Sequence, residues 1–142
     1  LWSEEEGRES AQELFDLWYH LIPADESFWD VRIGNPGPDE LFSFAVYIRG
    51  AMTLHQLRLA VGEEDFFTIL GQWAERYAGG HVTTHRFVRL AEEISGEELS
   101  PLFRRWLFTH RKPAATTTQG RTTTEAPSPS MWGKRLEAPL RR

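Results

Sequence analysis

The sequence predicts an all-α protein with about five helices and a C-terminal tail. Five stretches repeat their apolar residues at helical spacing, and no stretch alternates apolar and polar residues in the way that a half-buried strand does. The chain has 142 residues, of which 40% are hydrophobic and 13% aromatic, and this is enough for one modest core. We therefore expect a single helical body over residues 1–112, followed by a tail over residues 113–142.

The first predicted helix begins at Ser3 or Ser10 and ends at Leu21, because Pro23 cannot continue it. Its apolar residues fall on one stripe and are Ala11, Leu14, Phe15, Trp18 and Ile22. Residues 27–39 contain two glycines and two prolines and are predicted to form an ordered loop. Two aromatic residues are expected to anchor this loop to the core, namely Phe28 and Trp29.

The central helix is predicted to begin at Asp39 and end at Ala60. It is apolar on more than one side, which is typical of a helix enclosed by its neighbours. The apolar residues are Phe44, Val46, Ile48, Ala51, Leu54 and Leu57. Gly50 inside this helix costs about 1 kcal/mol relative to alanine. We therefore expect another backbone, or a substrate, to approach the helix closely at Gly50.

Three shorter helices follow, and each is bounded by a start or stop signal. The first begins with an acidic turn after Gly62 and ends at Gly79. The second is capped by Thr83 or Thr84 and closed by Gly96. The last has Ser100 as its predicted N-cap and Pro101 at its first helical position.

The tail has a composition that cannot support a packed core. Residues 114–130 contain no large apolar side chain and are rich in Thr, Pro and Ser, so they are expected to be disordered. Such a stretch is either a solvated tail or a glycosylated spacer. Residues 131–142 place four basic residues near one tryptophan, which forms either a solvated charge cluster or a weak surface-binding tail.

Charge and cysteine content exclude several function classes. Residues 1–112 hold 11 Lys and Arg against 19 Asp and Glu, and an acidic body argues against nucleic-acid binding. The absence of cysteine excludes disulfides and thiolate metal ligands. No window approaches the roughly 18 consecutive apolar residues of a membrane span. The compartment stays open, with an extracellular or cell-surface location favoured over the cytoplasm.

Taken alone, the ionisable residues do not predict a catalytic or metal site. His81 and His85 are four residues apart, but the Gly79-Gly80 pair places His81 before the helix, so the two histidines do not share a face. The glutamate pairs Glu92-Glu93 and Glu97-Glu98 have the character of solvated helix ends. We expect no metal ligand in this chain.

Two residues of the central helix have both a structural and a functional interpretation. Without further context, Tyr47 would be a core residue whose hydroxyl is satisfied by a carbonyl. Arg49 could bind a substrate carboxylate, but a structural ion pair with an acidic neighbour is the favoured interpretation.

The segment Val46-Tyr47-Ile48-Arg49-Gly50-Ala51 resembles a signature of the aminopeptidase N family of zinc metallopeptidases. Further segments resemble that family in the same order and spacing, namely residues 61–67, 79–84, 95–99 and 106–107. The resemblance covers residues 1–113. It implies that the chain is the helical C-terminal subdomain of a thermolysin-like catalytic domain.

The resemblance assigns a catalytic role to Tyr47, whose phenol hydroxyl would donate a hydrogen bond to the tetrahedral intermediate of peptide hydrolysis. The family binds zinc through a His-Glu-x-x-His motif and a more distant Glu, and no His-Glu dipeptide occurs in this chain. The zinc ion would therefore be held by upstream residues of a longer parent. We expect the parent to act on peptide substrates and the chain alone to be inactive.

A second interpretation comes from a different functional class. The chain could be a non-catalytic helical module that binds a partner protein through its acidic face or its tail. The upstream sequence discriminates between the two, because only the peptidase interpretation requires a zinc motif there.

Overall fold

A computed structural model of the protein describes residues 10–116. These residues form five α-helices, one short 3-10 helix and no strand, which confirms the predicted all-α fold. The α-helices are α1 (Ala11–Leu21), α2 (Phe44–Val61), α3 (Glu63–Tyr77), α4 (Thr84–Ser95) and α5 (Ser100–Leu107), and the 3-10 helix spans Ser27–Asp30.

Helix α1 begins at the second of its two predicted starts. The Ser10 hydroxyl accepts a hydrogen bond from the Glu13 backbone N–H, and the Glu13 carboxylate accepts one from the Ser10 N–H. This capping box satisfies two donors that the helix would otherwise leave unpaired. The helix ends at Leu21, as expected from Pro23, and the other predicted start, Ser3, lies outside the described residues.

Helix α2 is shorter at its start than the predicted helix. It begins at Phe44 rather than Asp39, because Gly37 adopts a left-handed φ of 77° and the residues after it form turns. Ser43 is the N-cap, in extended backbone geometry. The helix ends at Val61, where Gly62 takes a φ of 85° that favours glycine.

The caps of α4 confirm the prediction, but the cap of α5 differs from it. Leu99, and not Ser100, is the N-cap residue of α5. The Glu92 carboxylate on α4 caps the helix instead, since it accepts from the Leu99 N–H, the Ser100 N–H and the Ser100 hydroxyl at 2.9 Å each. The hydrogen bond from the Ser100 hydroxyl is the main reason why the pKa of Glu92 lies below its ordinary value. Glu92 is thus a helix cap and not a solvated charge.

Helix α2 is central to the packing, with contacts to α1, α3 and α5, while α4 packs on α3. The predicted loop anchor is confirmed for Trp29, which is 0% exposed and donates from its indole N–H to the Pro23 carbonyl at 2.9 Å. Within residues 10–116, no helix combines the length and apolarity needed to cross a lipid bilayer.

The side chains of α2 are distributed differently from the prediction of an enclosed apolar helix. Its buried residues include Arg49, Thr53 and Gln56, exposed by 0%, 3% and 0%. Two of its large apolar residues instead face outward, with Phe44 exposed by 54% and Leu54 by 39%. The prediction fails because polar groups of α2 find hydrogen-bond partners inside the body, and hydrophobic patterning does not detect such partners.

The described chain continues past residue 112, where the predicted body ends. Pro113 is buried, Ala115 packs against the core, and the Thr116 N–H donates to the Gln56 Oε1 at 2.6 Å. Residues 117–142, which contain most of the predicted tail, lie outside the described part of the chain.

Candidate functional site

Tyr47 lies in the first turns of α2 with its side chain at the surface. The residue is 61% exposed, and its hydroxyl makes no hydrogen bond to any of residues 10–116. The interpretation of Tyr47 as a core residue satisfied by a carbonyl therefore does not hold for this part of the chain. Its phenol is available to a molecule or segment outside the helical body.

Tyr47 belongs to an outward row of α2, which we define as Phe44, Tyr47, Gly50, Ala51 and Leu54. These residues are three or four positions apart and so share one helix face. The exposed apolar surface extends into the preceding turn, where Leu41 is 50% and Phe42 79% exposed. Scattered exposed apolar residues are ordinary, but a contiguous group on one face is typical of an interaction surface.

A cavity of about 460 Å³ lies beside this row, between α1, α2 and α3, and we call it the α1–α2 groove. Its lining is mostly apolar and includes no acidic residue; the lining residues are Ala11, Leu14, Phe15, Trp18, Ile48, Ala51, Met52, Leu54, His55, Arg58, Phe66 and Leu70. Tyr47 is not among them. The groove therefore flanks the candidate catalytic residue and does not contain it.

Arg49 lies on the opposite, inward face of α2 and is 0% exposed. One terminal nitrogen, Nη1, donates to the carbonyls of Trp29 and Val31 at 3.0 and 2.9 Å. The other, Nη2, donates to the carbonyls of Arg105 and Thr109 at 3.3 and 2.9 Å and to the Thr109 hydroxyl at 3.1 Å. A single side chain thereby ties α2 to the 3-10 segment and to the end of α5.

These contacts decide between the two interpretations of Arg49. Both terminal nitrogens of its guanidinium donate to oxygens of the protein, the guanidinium lies 5.7 Å from the centre of the Trp29 ring, and the side chain is closed to solvent, so it cannot bind a substrate carboxylate. The structural interpretation is correct, but the partners are backbone carbonyls rather than the predicted acidic neighbour. Burial lowers the pKa of Arg49 to about 10, which still leaves the group charged at neutral pH.

A second anchor joins α1 and α2 to residues 112–116. The Lys112 ammonium donates to the carbonyls of Tyr19 and Ile22 and lies 4.2 Å from the centre of the Tyr19 ring. The Tyr19 hydroxyl in turn donates to the Pro113 carbonyl at 2.8 Å. Burial lowers the pKa of Lys112 from its ordinary value. Together with the Gln56 contact, these bonds fix the chain after α5 across the body.

A wider and more polar cavity of about 670 Å³ lies between the 3-10 segment and the start of α2. It is lined by carboxylates of Glu26, Asp30 and Glu40, along with Arg32 and His110. The His110 Nδ1 is 2.7 Å from the Asp30 carbonyl oxygen, which orients the ring. Phe44 lines this cavity too, so the outward row of α2 runs between the two cavities.

The histidines do not assemble a metal site. His81 precedes Thr83, the N-cap of α4, while His85 lies in the first turn, so the two rings are not one helical turn apart on a shared face. Within residues 10–116, no group of three or more His, Asp or Glu residues could hold a metal ion. The described residues therefore do not fit the zinc ion that the family resemblance implies.

Sequence reasoning assigned a structural role to Arg49 but none to Thr53 and Gln56, which are buried on the same stripe of α2. A signal was present, because the three polar residues are spaced by four and three positions and so define one stripe of α2. Helical periodicity does not show which groups face this stripe, and only the structure brings carbonyls from residues 18 to 60 positions away against Arg49.

Comparison with known proteins points to one family over part of the chain. The chain is 34% identical over 90 residues to the aminopeptidase N of Streptomyces lividans, covering 63% of the chain and 10% of that protein. It is 31% identical over 78 residues to the aminopeptidase N of Escherichia coli (strain K12), covering 55% and 9%. The chain thus spans about a tenth of the length of the curated relatives that it matches. No family model matches it, and no solved structure matches it with significance.

Proposed function

We propose that the chain is the helical C-terminal part of the catalytic domain of a zinc-dependent aminopeptidase and that it supplies Tyr47 to the active site. The observation that carries the proposal is the state of Tyr47, which is 61% exposed with its hydroxyl unbonded to residues 10–116. The similarity to two aminopeptidases N supports the same reaction class.

The proposed role of Tyr47 is to donate a hydrogen bond to the oxyanion that forms when the scissile carbonyl of a peptide becomes tetrahedral. A neutral phenol donates more strongly to a developing negative charge than to a ground-state carbonyl, so it stabilises the transition state selectively. Such a donor is effective only when it is held in place before the reaction begins. Arg49, two residues after Tyr47, holds the helix in place because it fixes α2 to two other segments of the body.

Zinc would polarise the carbonyl in this reaction class. The residues that would hold it belong to the longer parent, because the described residues of this chain do not form a metal site. The chain alone is accordingly proposed to be inactive and to form one wall of the peptide-binding cleft in the parent.

The exposed apolar residues give some support to the second functional class, a non-catalytic interaction module. Leu41, Phe42 and Phe44 are 50%, 79% and 54% exposed, and such a group is typical of a surface that another protein covers. The two proposals make different demands on Tyr47. An interaction module needs the aromatic ring, whereas the peptidase needs the hydroxyl.

Replacing Tyr47 by phenylalanine in the longer parent separates the two proposals. The Tyr47→Phe variant keeps the ring and loses the donor, so kcat on an aminoacyl anilide should fall on the order of 100- to 1000-fold, with KM and bound zinc almost unchanged. Tyr77→Phe is the matched control, because Tyr77 lies on α3 with its ring against Trp73. The control should retain full activity.

A near-normal kcat for Tyr47→Phe at full zinc occupancy would refute the catalytic role of this residue. A loss of activity accompanied by loss of zinc, or an equal loss in the Tyr77→Phe control, would refute it too, since both results indicate a structural effect. Thermal unfolding of the 142-residue chain provides a further check, because Tyr47→Phe should shift its unfolding free energy by less than about 0.5 kcal/mol.

A further inference from the structure

We propose that a cleft between α3 and α4 binds a phosphate group, either as the free ion or as the monoester of a small molecule. The cleft has a volume of about 250 Å³, and we call it the arginine cleft. Its lining residues are Arg76, Tyr77, Arg86, Arg89, Leu90 and Glu93. None of them belongs to α2, and the inference does not depend on the proposed peptidase function.

The three arginines of the cleft come from two helices that pack against each other. Arg86 and Arg89 are three positions apart on α4 and so share one face of that helix. Arg76 is the last residue but one of α3, which contacts α4 along its length. The Trp73 and Phe87 rings pack edge to face across this contact, with centres 5.1 Å apart. The guanidiniums are therefore carried by packed helices and not by loops.

The charge of the arginine cleft is opposite in sign to that of the body. Residues 1–112 hold 11 Lys and Arg against 19 Asp and Glu, whereas the cleft brings three arginines together with one carboxylate. That carboxylate belongs to Glu93, whose Oε2 lies 4.0 Å from the Nη1 of Arg76. At neutral pH, three positive charges and one negative charge leave an excess of two positive charges. A phosphate monoester has close to two negative charges at this pH.

The guanidiniums keep donors that the body does not use. The Arg89 side chain makes no hydrogen bond or ion pair with any of residues 10–116. In the same part of the chain, Arg86 donates to the His81 carbonyl at 3.4 Å and Arg76 donates to the Gln72 Oε1 at 2.8 Å. A guanidinium has several N–H donors in one plane, so each of these side chains has further donors for an anion.

The size of the cleft and its donors favour a phosphate group over other anions. Its volume of about 250 Å³ is below the roughly 300–1,000 Å³ of pockets that enclose drug-sized ligands, so it admits a compact group. A carboxylate offers two oxygens and a single charge, whereas a phosphate monoester offers three terminal oxygens and a higher charge. Because guanidiniums approach from two helices, a phosphate can use an oxygen that a carboxylate lacks.

A chemical-shift titration of the 142-residue chain by NMR tests the proposal, in chloride buffer of constant ionic strength. The probes are inorganic phosphate and methyl phosphate. At least one of them should shift the backbone amides of Arg76, Arg86 and Arg89 in a saturable way. Equal affinities would identify the free ion as a sufficient ligand, and tighter binding of methyl phosphate would identify the ester.

Two matched arginine substitutions locate the binding. Arg89→Met should weaken phosphate binding by about 10-fold or more, because the complex loses charge-assisted hydrogen bonds. Arg104→Met is the control, because Arg104 is an exposed arginine of α5 that does not line the cleft. The control should bind phosphate as the unsubstituted chain does. Equal affinities of Arg89→Met and Arg104→Met would overturn the proposal.

Glu93→Gln should have the opposite effect and strengthen phosphate binding severalfold at low ionic strength, because it removes the carboxylate of the cleft. Damage to the fold cannot produce such a gain. Succinate, a dicarboxylate of similar charge, tests whether the cleft recognises phosphate or charge alone. The proposal is overturned if succinate binds as tightly as phosphate, if Glu93→Gln does not strengthen binding, or if neither phosphate probe gives a saturable shift at the cleft.

Discussion

The two faces of α2 differ in where they place polar and apolar side chains. The inward face carries Arg49, Thr53 and Gln56, all exposed by 3% or less. Arg49 and Gln56 bond to the backbone of distant segments, while the Thr53 hydroxyl donates to the Arg49 carbonyl of the same helix. The outward face carries Phe44, Tyr47 and Leu54, which are exposed by 39% to 61%, although the Phe44 ring still packs against Trp18 and Phe28. In an ordinary amphipathic helix, the apolar residues would lie inward and the polar ones outward.

The difference shows that α2 is positioned by hydrogen bonds and not by burial of its apolar side chains alone. A guanidinium that donates to four carbonyls fixes both the distance and the rotation of the helix, since each donor has a defined direction. This arrangement leaves the apolar residues of the outward row free to contact something outside the body. For the proposed role of Tyr47, a rigid helix with an accessible face is the required combination.

The largest expected effect comes from removing the anchor on the inward face. Arg49→Met keeps much of the volume but removes the guanidinium donors from the carbonyls of Trp29, Val31, Arg105 and Thr109, and the Arg105 carbonyl then keeps the Thr109 hydroxyl as a donor. Because buried acceptors that lose their partners are costly, we expect a loss of about 3–5 kcal/mol in the unfolding free energy. The unfolding free energy of Arg49→Lys should lie between those of the unsubstituted chain and Arg49→Met, because an ammonium has three donors but lacks the planar geometry of a guanidinium. Urea denaturation of the chain measures all of these values.

Arg86→Met is the matched control for that series. Arg86 is exposed and donates to a single carbonyl, that of His81, at 3.4 Å. Its replacement should change the unfolding free energy by less than about 0.5 kcal/mol. If Arg49→Met lowered the unfolding free energy no more than this control does, the hydrogen bonds of Arg49 would not be what positions α2.

The parts of the fold that depend on local signals could be predicted from the sequence. The capping serine and the proline after Leu21 set the ends of α1, and Thr83 and Gly96 set the ends of α4. The interactions that position the candidate site depend on contacts between distant residues. The acceptors of Arg49 are 18 to 60 positions away, and nothing in the local sequence indicates which carbonyls will be near.

The candidate site also combines a feature that the sequence indicates with one that depends on distant contacts. Tyr47 was predicted from a motif, and its exposure is a property of the fold that periodicity misjudged, since the pattern indicated an enclosed helix. The cap formed by Glu92 likewise could not be predicted from the sequence. Its carboxylate caps α5 only because the fold brings Ser100 within hydrogen-bond distance of it.

A smaller effect is expected where the chain after α5 meets the inward face. The Gln56 side chain is 0% exposed and its Oε1 accepts from the Thr116 N–H at 2.6 Å. A chain that ends at Pro113 loses this donor and the packing of Ala115, whereas a chain that ends at Thr116 keeps both. The shorter form should therefore be less stable than the longer one by about 1–3 kcal/mol.

Thermal unfolding of the two truncated forms measures this difference, which corresponds to a shift of about 4–8 °C per kcal/mol. The composition of residues 114–130, which hold no large apolar side chain, by itself indicates no effect from removing everything after Pro113. Equal midpoints would agree with the composition and show that the backbone contact at Gln56 contributes nothing measurable to the stability of the chain.

The smallest expected effect concerns the outward face and has the opposite sign. Gly50 was expected to be retained for the close approach of another backbone or of substrate, yet a Cβ built at this position meets no described atom within 4 Å. No described residue therefore explains the glycine. In the chain studied alone, Gly50→Ala should stabilise α2 by about 0.5–1 kcal/mol, because alanine restricts the unfolded backbone and favours the helix.

The same substitution in the proposed parent peptidase tests whether another molecule or segment contacts the outward face. If peptide or another segment lies against α2 beside Tyr47, the added methyl group should raise KM or lower kcat there while it stabilises the chain alone. Gly71→Ala on α3 is the matched control, because its Cβ also meets nothing within 4 Å and it lies on no candidate site. It should stabilise both forms alike. A gain in stability without any change in the activity of the proposed parent would mean that no peptide or other segment lies against Gly50 there.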